Sequence, residues 1–480
     1  MPPRLLALLA SLALSVPLAS AQRKPGKVYT EVYLSYCAAC HGNELNEGLG
    51  GSLVDGVWKH GGSDAEIARS IREGFPELGM APWSESIIDD EMLRSLVILI
   101  RERESAFAEK EALHPQPVQE QVVATQKHAY RLEAVVEADL LDHPWGIDFL
   151  PGGRLIVTER PGTVRLIEAD GRIGAPVRGT PPVIQKGQGG MLAVGVHPNY
   201  SENGWIYLAF SDGWRQGDRP KGKPFSMTAV VRGRLEGNTW VDQEWIYRAA
   251  KEHHLPSGAH FGTRLVFQRG YLFVVVGERG TLEQVQDLAV PYGKVLRLHD
   301  DGRVPSDNPF IDQGHALPEI WSYGHRNPQA MDAHPENGLL YLTEHGPRGG
   351  DEFNLVKKGA NYGWPIISHG MNYDGTPFTS LTAKEGMEQP VTYWTPSIAV
   401  CGGAFYQGKA FPRWQNDFLA GALRDESVRR LRLDPAGQLI EEEVLLKGIG
   451  RVRAVEVGPD GAVYLAINNP DQIFRLVAAD

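Results

Sequence analysis

Cysteine is scarce in this chain. Three thiols in 480 residues cannot build a disulfide framework, so packing has to carry the fold. An excess of basic charge is missing too. Lys+Arg 48 against Asp+Glu 59 leaves a formal net charge of −11, which argues against a nucleic-acid partner, because such a partner needs a concentrated cationic face. After residue 21 no stretch is apolar enough to cross a bilayer, which takes about 20 residues. The apolar (42%) and charged (22%) fractions are ordinary, so wholesale disorder is excluded. Turn formers are in surplus. With 54 glycines and 33 prolines, the chain should consist of many short elements rather than long helices.

Residues 1–21 read as a cleaved signal peptide, with Arg4 as the positive region, 5–18 as the apolar stretch and Ala19-Ser20-Ala21 as the cleavage site. The mature chain is expected to open at Gln22 and to be periplasmic or secreted, with no membrane span. Residues 22–107 read as a small helical domain. Ser63-Asp64-Ala65-Glu66 is a capping box ahead of Ile67 and Ile71. Asp89 and Asp90 open a helix with Leu93, Leu96, Val97 and Ile100 at helical spacing. Residues 108–128, polar and carrying Pro115 and Pro117, read as a linker.

From 129 to 480 the pattern changes to short strands between Gly, Asp and Pro turns. Six strand–turn–strand units recur: 144–149 with 154–158, 192–196 with 205–210, 264–267 with 271–276, 331–333 with 339–343, 403–406 with 417–422, and 452–457 with 462–467. Repeats of this size predict a six-bladed β-propeller, since each sheet can bury its faces only against its neighbours. The bland alternative is a sandwich or an irregular barrel.

Two groups of residues carry chemistry. Cys37-Ala38-Ala39-Cys40-His41 is a CxxCH motif. Its thiols can add to the vinyl groups of a haem, and its histidine then lies beneath the iron. A zinc half-site is the alternative, but only Cys401 remains to complete it. The sixth iron ligand is expected to be Met80, in the loop Gly79-Met80-Ala81-Pro82-Trp83. His60 competes, while Met92 falls on the apolar face of the last helix. This region resembles a class I cytochrome c, which implies an electron carrier served by a partner that yields electrons. In the larger half, polar motifs cluster at strand ends: Gln188 in a glycine loop, His260 just before a strand, Arg326-Asn327, the loop 345–352, and Arg451-Val452-Arg453. Singly, His260 reads as an ordinary histidine and Arg326 as the partner of a buried acid. Together the arginines imply an anionic ligand, the carbonyls and acids imply calcium, and the histidine implies a base.

Residues 130–478 resemble the soluble quinoprotein aldose sugar dehydrogenases, related to soluble glucose dehydrogenase. The matching motifs are Gly187-Gln188-Gly189-Gly190, His260-Phe261-Gly262-Thr263-Arg264-Leu265, 321–329, 344–352 and Asn361-Tyr362-Gly363-Trp364-Pro365. The resemblance implies a propeller that uses pyrroloquinoline quinone and calcium. His260 would be the base toward the sugar C1 hydroxyl, with Glu278 orienting it. Arg326 and Asn327 would hold the quinone oxygens. Gln188, Tyr373, Ala422, Leu423, Arg424, Arg451, Val452 and Arg453 would hold the rest of the cofactor. The carbonyls of Gly346 and Pro347 would bind one calcium, and Glu352 with the Tyr362 carbonyl a second. Three departures stand out: Arg424 where the family often has lysine, Ala454 where it has an acid, and Cys401 where it has a small residue.

The expected function is oxidation of aldose sugars to lactones, with electrons passing to the fused haem c and on to a downstream cytochrome, oxidase or dye. Two alternatives stay open. In one, the propeller is a binding or scaffold module and only the haem domain is active. In the other, the quinone is kept but the substrate is a non-sugar alcohol. Fold alone decides nothing between them.

Overall fold

The computed structural model describes residues 29–46, 48–111, 121–218 and 222–479. The expected signal peptide lies outside the described residues. The N-terminal unit consists of α1 (Tyr29–Tyr36), the short α2 (Ala38–His41), α3 (Asp64–Glu73) and α4 (Asp90–Glu111). The capping box forms as expected: the Ser63 side chain accepts from Glu66 N–H, and the Glu66 carboxylate accepts from Ser63 N–H at 2.9 Å. Asp89 caps α4 by accepting from Met92 N–H at 2.8 Å. Tyr29, Val32 and Tyr33 of α1, Ile67 and Ile71 of α3, and Leu93, Leu96, Val97 and Ile100 of α4 close over one apolar core, which also holds Met92. The expected linker 108–128 is in part structured. Helix α4 continues to Glu111, and a strand begins at Val122.

The remainder is a six-bladed β-propeller built from six antiparallel sheets. The inner strands of the blades are Pro144–Phe149, Met191–Val196, Gly262–Gln268, Pro328–Ala333, Val400–Phe405 and Arg451–Val457. The ring is closed by a strand from the start of the domain. Ala129–Val136 pairs with Gln472–Ala478, so the last blade contains both ends of the propeller and no exposed seam is left. The cores lie between blades. Ile147 and Val157 of the first blade, for example, pack with Ala454 and Ala466 of the last.

All six inner strands carry a register shift near their first residues: Pro144/Ile147, Met191/Val194, Gly262/Leu265, Pro328/Ala330, Val400/Gly403 and Val452/Ala454. A bulge adds an unpaired residue and re-aims its side chain, and bulges gather where sheets serve a site. The six bulges therefore ring one end of the central axis, where the expected site residues fall. At the other end, Asp148 accepts from Val196 N–H (2.6 Å) and Asp332 from Phe405 N–H (2.8 Å), each carboxylate tying one inner strand to the next. A cavity of about 520 Å³ opens at that far end beside Asp332 and Glu456, away from the bulges.

Candidate functional site

His260 stands on the last residue but one before the third inner strand, with a left-handed φ of +48°. A non-glycine residue is held there only when its surroundings demand it. They do: its N–H donates to Gln188 Oε1 at 2.8 Å, and its Nδ1 is bonded to Glu278 Oε1. Glu278 is itself fixed, accepting from the N–H groups of Gly280 and Thr281. Burial would raise the Glu278 carboxyl, but His260 and Arg326 outweigh it and hold it below its ordinary value. Ionised Glu278 fixes the proton on Nδ1 and leaves Nε2 to accept one. Burial, aided by the Arg326 charge, holds the imidazole below its usual value despite Glu278. The ring is therefore neutral at neutral pH.

Arg326 and Asn327 precede the fourth inner strand. Arg326 donates to the carbonyls of His345 (3.0 Å) and Gly346 (2.6 Å), while its backbone N–H donates to Glu344 Oε2 at 2.6 Å. Asn327 Oδ1 accepts from Gly262 N–H at 3.1 Å, joining this blade to the one carrying His260. The loop 346–350 turns back on itself, and a Cβ on Gly346 would lie 2.0 Å from Gly350 O. Only glycine permits that turn. His345 is pulled down to about 3 by burial first, then by Arg326, Arg453 and His260, so these four side chains share one neighbourhood.

Arg451 and Arg453 open the sixth inner strand, and Arg453 sits at its bulge. Burial and Arg453 lower the Arg451 guanidinium. Arg424 is exposed and donates to Ser397 O at 2.9 Å. Ala422 and Val452 turn their side chains into blade cores, and Leu423 is also buried, so the backbone is what these three present. Tyr373 is 71% exposed, beyond the 346–350 loop. Cys401 is buried, with its Sγ 3.3 Å from Arg453 O, as a small interior residue would be.

In the helical unit, His41 Nδ1 is 3.1 Å from Gly51 O. A carbonyl partner fixes the proton there and leaves Nε2 for a metal. Neither Cys37 nor Cys40 is in a disulfide, and burial together with Cys40 pushes the Cys37 thiol up to about 11. Met80 bridges to Phe75 through its backbone, and His60 is occupied in a stack on Phe75 at 3.9 Å between centroids.

Residues 141–476 match the family described as glucose/sorbosone dehydrogenase. The chain belongs to that family. Residues 25–100 match the family described as cytochrome c oxidase, cbb3-type, subunit III, so this glucose/sorbosone dehydrogenase carries a cytochrome c domain at its N-terminus. The aldose sugar dehydrogenase YliI of Escherichia coli K12 is 42% identical over 334 residues, covering 68% of this chain and 87% of its own. The crystal structure of the soluble aldose sugar dehydrogenase from Escherichia coli in its apo form superposes with a TM-score of 0.67 at 38% identity, over 73% of this chain and 100% of that one. The PQQ-bound aldose sugar dehydrogenase from Streptomyces coelicolor gives 0.58 at 25% identity, over 76% and 100%. These matches are to dehydrogenases, and the propeller half is an oxidoreductase.

The structure of this glucose/sorbosone dehydrogenase adds two residues that sequence reasoning passed over. Arg160 donates to Gly187 O at 3.1 Å, and burial and the Arg453 charge lower it. It follows a strand unremarkable in sequence, and no motif marks it. His345, quoted only as part of a loop, is half-buried, and its Nε2 is buried with no partner. Among the described residues no helix is long and apolar enough to cross a membrane.

Proposed function

We propose that the chain is a pyrroloquinoline-quinone-dependent aldose sugar dehydrogenase, exported by residues 1–21, that oxidises the C1 hydroxyl to a lactone and delivers electrons to its own haem c. One observation carries the reading. A neutral, oriented His260 faces a group of arginines (Arg160, Arg326, Arg451 and Arg453), none of which has an ion-pair partner among the described residues. Guanidinium groups crowded together with no carboxylate in ion-pair contact call for an anionic ligand. Arg326 Nε and His345 Nε2 are also buried without partners. A quinone bearing carboxylates suits that cradle, and the aldose sugar dehydrogenase relatives support the choice.

Bound there, the quinone supplies a two-electron acceptor for the hydride leaving sugar C1. His260 Nε2 takes the hydroxyl proton, and Glu278 holds the imidazole in the required tautomer. Arg326 stabilises negative charge on the oxygens it faces, and Asn327 fixes their direction. Gln188 anchors the His260 backbone. The arginines at the sixth blade, with Arg424 and Tyr373 at the rim, hold the rest of the ligand. A scaffold reading leaves the oriented imidazole and the unpaired arginines without a role.

Two calcium ions belong to the same reading. The carbonyls of Gly346 and Pro347 would hold one. They accept from Arg326 (2.6 Å) and Ser397 Oγ (2.9 Å), so an ion has to draw Gly346 O away from the guanidinium, while Pro347 O keeps a second lone pair. Glu352 and the Tyr362 carbonyl would hold the other, and the donors there suit a hard cation. Asn354 Nδ2 bridges Glu344 (3.2 Å) and Glu352 (3.0 Å), and Asn354 Oδ1 is buried without a partner. Burial and the neighbouring Glu344 push the Glu352 carboxyl well above its usual range. In the N-terminal domain, Cys37 and Cys40 would bind haem covalently, with His41 and Met80 on the iron. The test is reconstitution of purified protein with the quinone and calcium, followed by an aldose panel with a soluble dye. Sugar-dependent dye reduction is expected. Failure to bind the quinone contradicts the reading, and turnover of simple alcohols alone replaces the substrate.

A further inference from the structure

Helix α4 is apolar on more than one side. The run Leu96-Val97-Ile98-Leu99-Ile100 is buried throughout, and a full turn of helix that is apolar on every side needs cover on more than one face. The cytochrome core takes Leu93, Leu96, Val97 and Ile100. The other face carries Arg94, Ile98 and Glu102, at i, i+4 and i+8, and meets the propeller. Arg94 Nη2 donates to His369 O at 2.9 Å. A Cβ on Gly349 would lie 3.6 Å from Ile98 Cγ2. Arg348 donates from Nε and Nη2 to both oxygens of Glu102, at 2.8 and 2.7 Å, and its guanidinium lies 5.2 Å from the Tyr29 ring centre. Met371, 1% exposed, packs into the cytochrome's apolar core, and Tyr393 donates its hydroxyl to Asp64 at 3.2 Å. Gly375 abuts Tyr29 so closely that a Cβ would lie 2.1 Å from the ring.

We propose that the loop 346–350 and the stretch 369–375 form a dock for the chain's own cytochrome domain, with Arg348 and Glu102 as the positioning pair that seats the haem domain at the rim of the propeller cleft. A lone surface ion pair is worth little. Here it is bidentate and flanked by Ile98 and Met371, which supply the apolar burial. The purpose of the dock rests on the function proposed above; its existence does not. The loop has two sides. Gly346 O and Pro347 O face Arg326 and Ser397 in the cleft, while Arg348 and Gly349, in the same turn, hold α4. From Tyr29, at the dock, α1 runs its eight residues to Tyr36, a rise of about 12 Å, and Cys37 follows. One sugar oxidation releases two electrons. The haem iron takes one, passes it to an external one-electron acceptor, and then takes the second, and a fixed seat gives both transfers one geometry.

The test uses the haem-loaded full chain and the variants Glu102→Arg and Glu102→Arg/Arg348→Glu, with the haem spectrum reporting an intact cytochrome fold. Small-angle scattering, which needs no substrate, reads the docking. Stopped-flow haem absorbance after sugar addition to the quinone-loaded chain reads the transfer, and dye-linked sugar oxidation is the control. Glu102→Arg should raise the radius of gyration and slow haem reduction on the order of tenfold, in step with the docked population. Dye-linked oxidation should be unchanged, and the charge swap should restore both other readouts. An unchanged radius and rate in Glu102→Arg overturns the dock. A parent chain whose haem is not reduced by sugar overturns the functional reading instead, and scattering alone then decides the dock.

Discussion

His260 turns Nδ1 to Glu278 and presents Nε2 as the one nitrogen able to take a proton. His260→Ala should therefore lower kcat by about 10²–10⁴-fold while the quinone still binds, and wild-type turnover would remove it from the mechanism. Because burial and Arg326 depress the ring's pKa, the base form persists below the usual histidine range. The acid limb of kcat/KM should accordingly lie below the free-imidazole value of about 6.5, and a limb above it would contradict the assigned environment. In the cytochrome domain, Met80→Ala should abolish the weak near-infrared sulfur-to-iron band of the oxidised protein. Survival of that band, or its absence from the parent, would put another ligand on the iron. At this scale the capping box was legible because its chemistry comes as a motif, and it forms as expected; the CxxCH run and Arg326-Asn327 were visible as motifs, and their roles stand as proposals. Arg160 and His345 were missed because their significance lies in unpaired atoms and neighbouring charges that only the fold brings together.

The inner strands are the elements that matter, and their six bulges at one end explain why residues far apart in sequence reach one cleft. Alternation along a strand predicts which face a residue takes, but a bulge suspends that rule at its own position, as at Arg453. Hence the strands were legible and the aim of their first side chains was not. The outer strands were harder to see, because one such as Thr239–Arg248 exposes much of its length and loses the apolar signal. In α4 the apolar run 96–100 was itself a signal of a second buried face, and the helical spacing of Leu93, Leu96, Val97 and Ile100 used only half of it. The strand Asp351–Val356 carries a further prediction. Calcium at Glu352 should stabilise the propeller by about 2.7 kcal/mol at a free concentration 100-fold above Kd, read as a rise in Tm. Glu352→Gln should abolish that rise and leave the covalent haem untouched. An equal rise in the variant would place the ion elsewhere.

For the whole molecule, repeat counting predicted the six blades, while the closing strand Ala129–Val136 was invisible to it, since its partner lies at the far end of the chain. The seat of the cytochrome domain was likewise out of reach, and a loose tether was the natural expectation from a polar linker. The fused architecture makes sense if reducing equivalents leave the cleft inside one chain. The most direct measurement is a single-turnover experiment on the full chain loaded with quinone, calcium and haem, with no mediator present, following haem absorbance after adding an aldose at several protein concentrations. Haem reduction at a rate independent of protein concentration is the predicted result. A haem that stays oxidised, or a rate that rises in proportion to protein concentration, would contradict it.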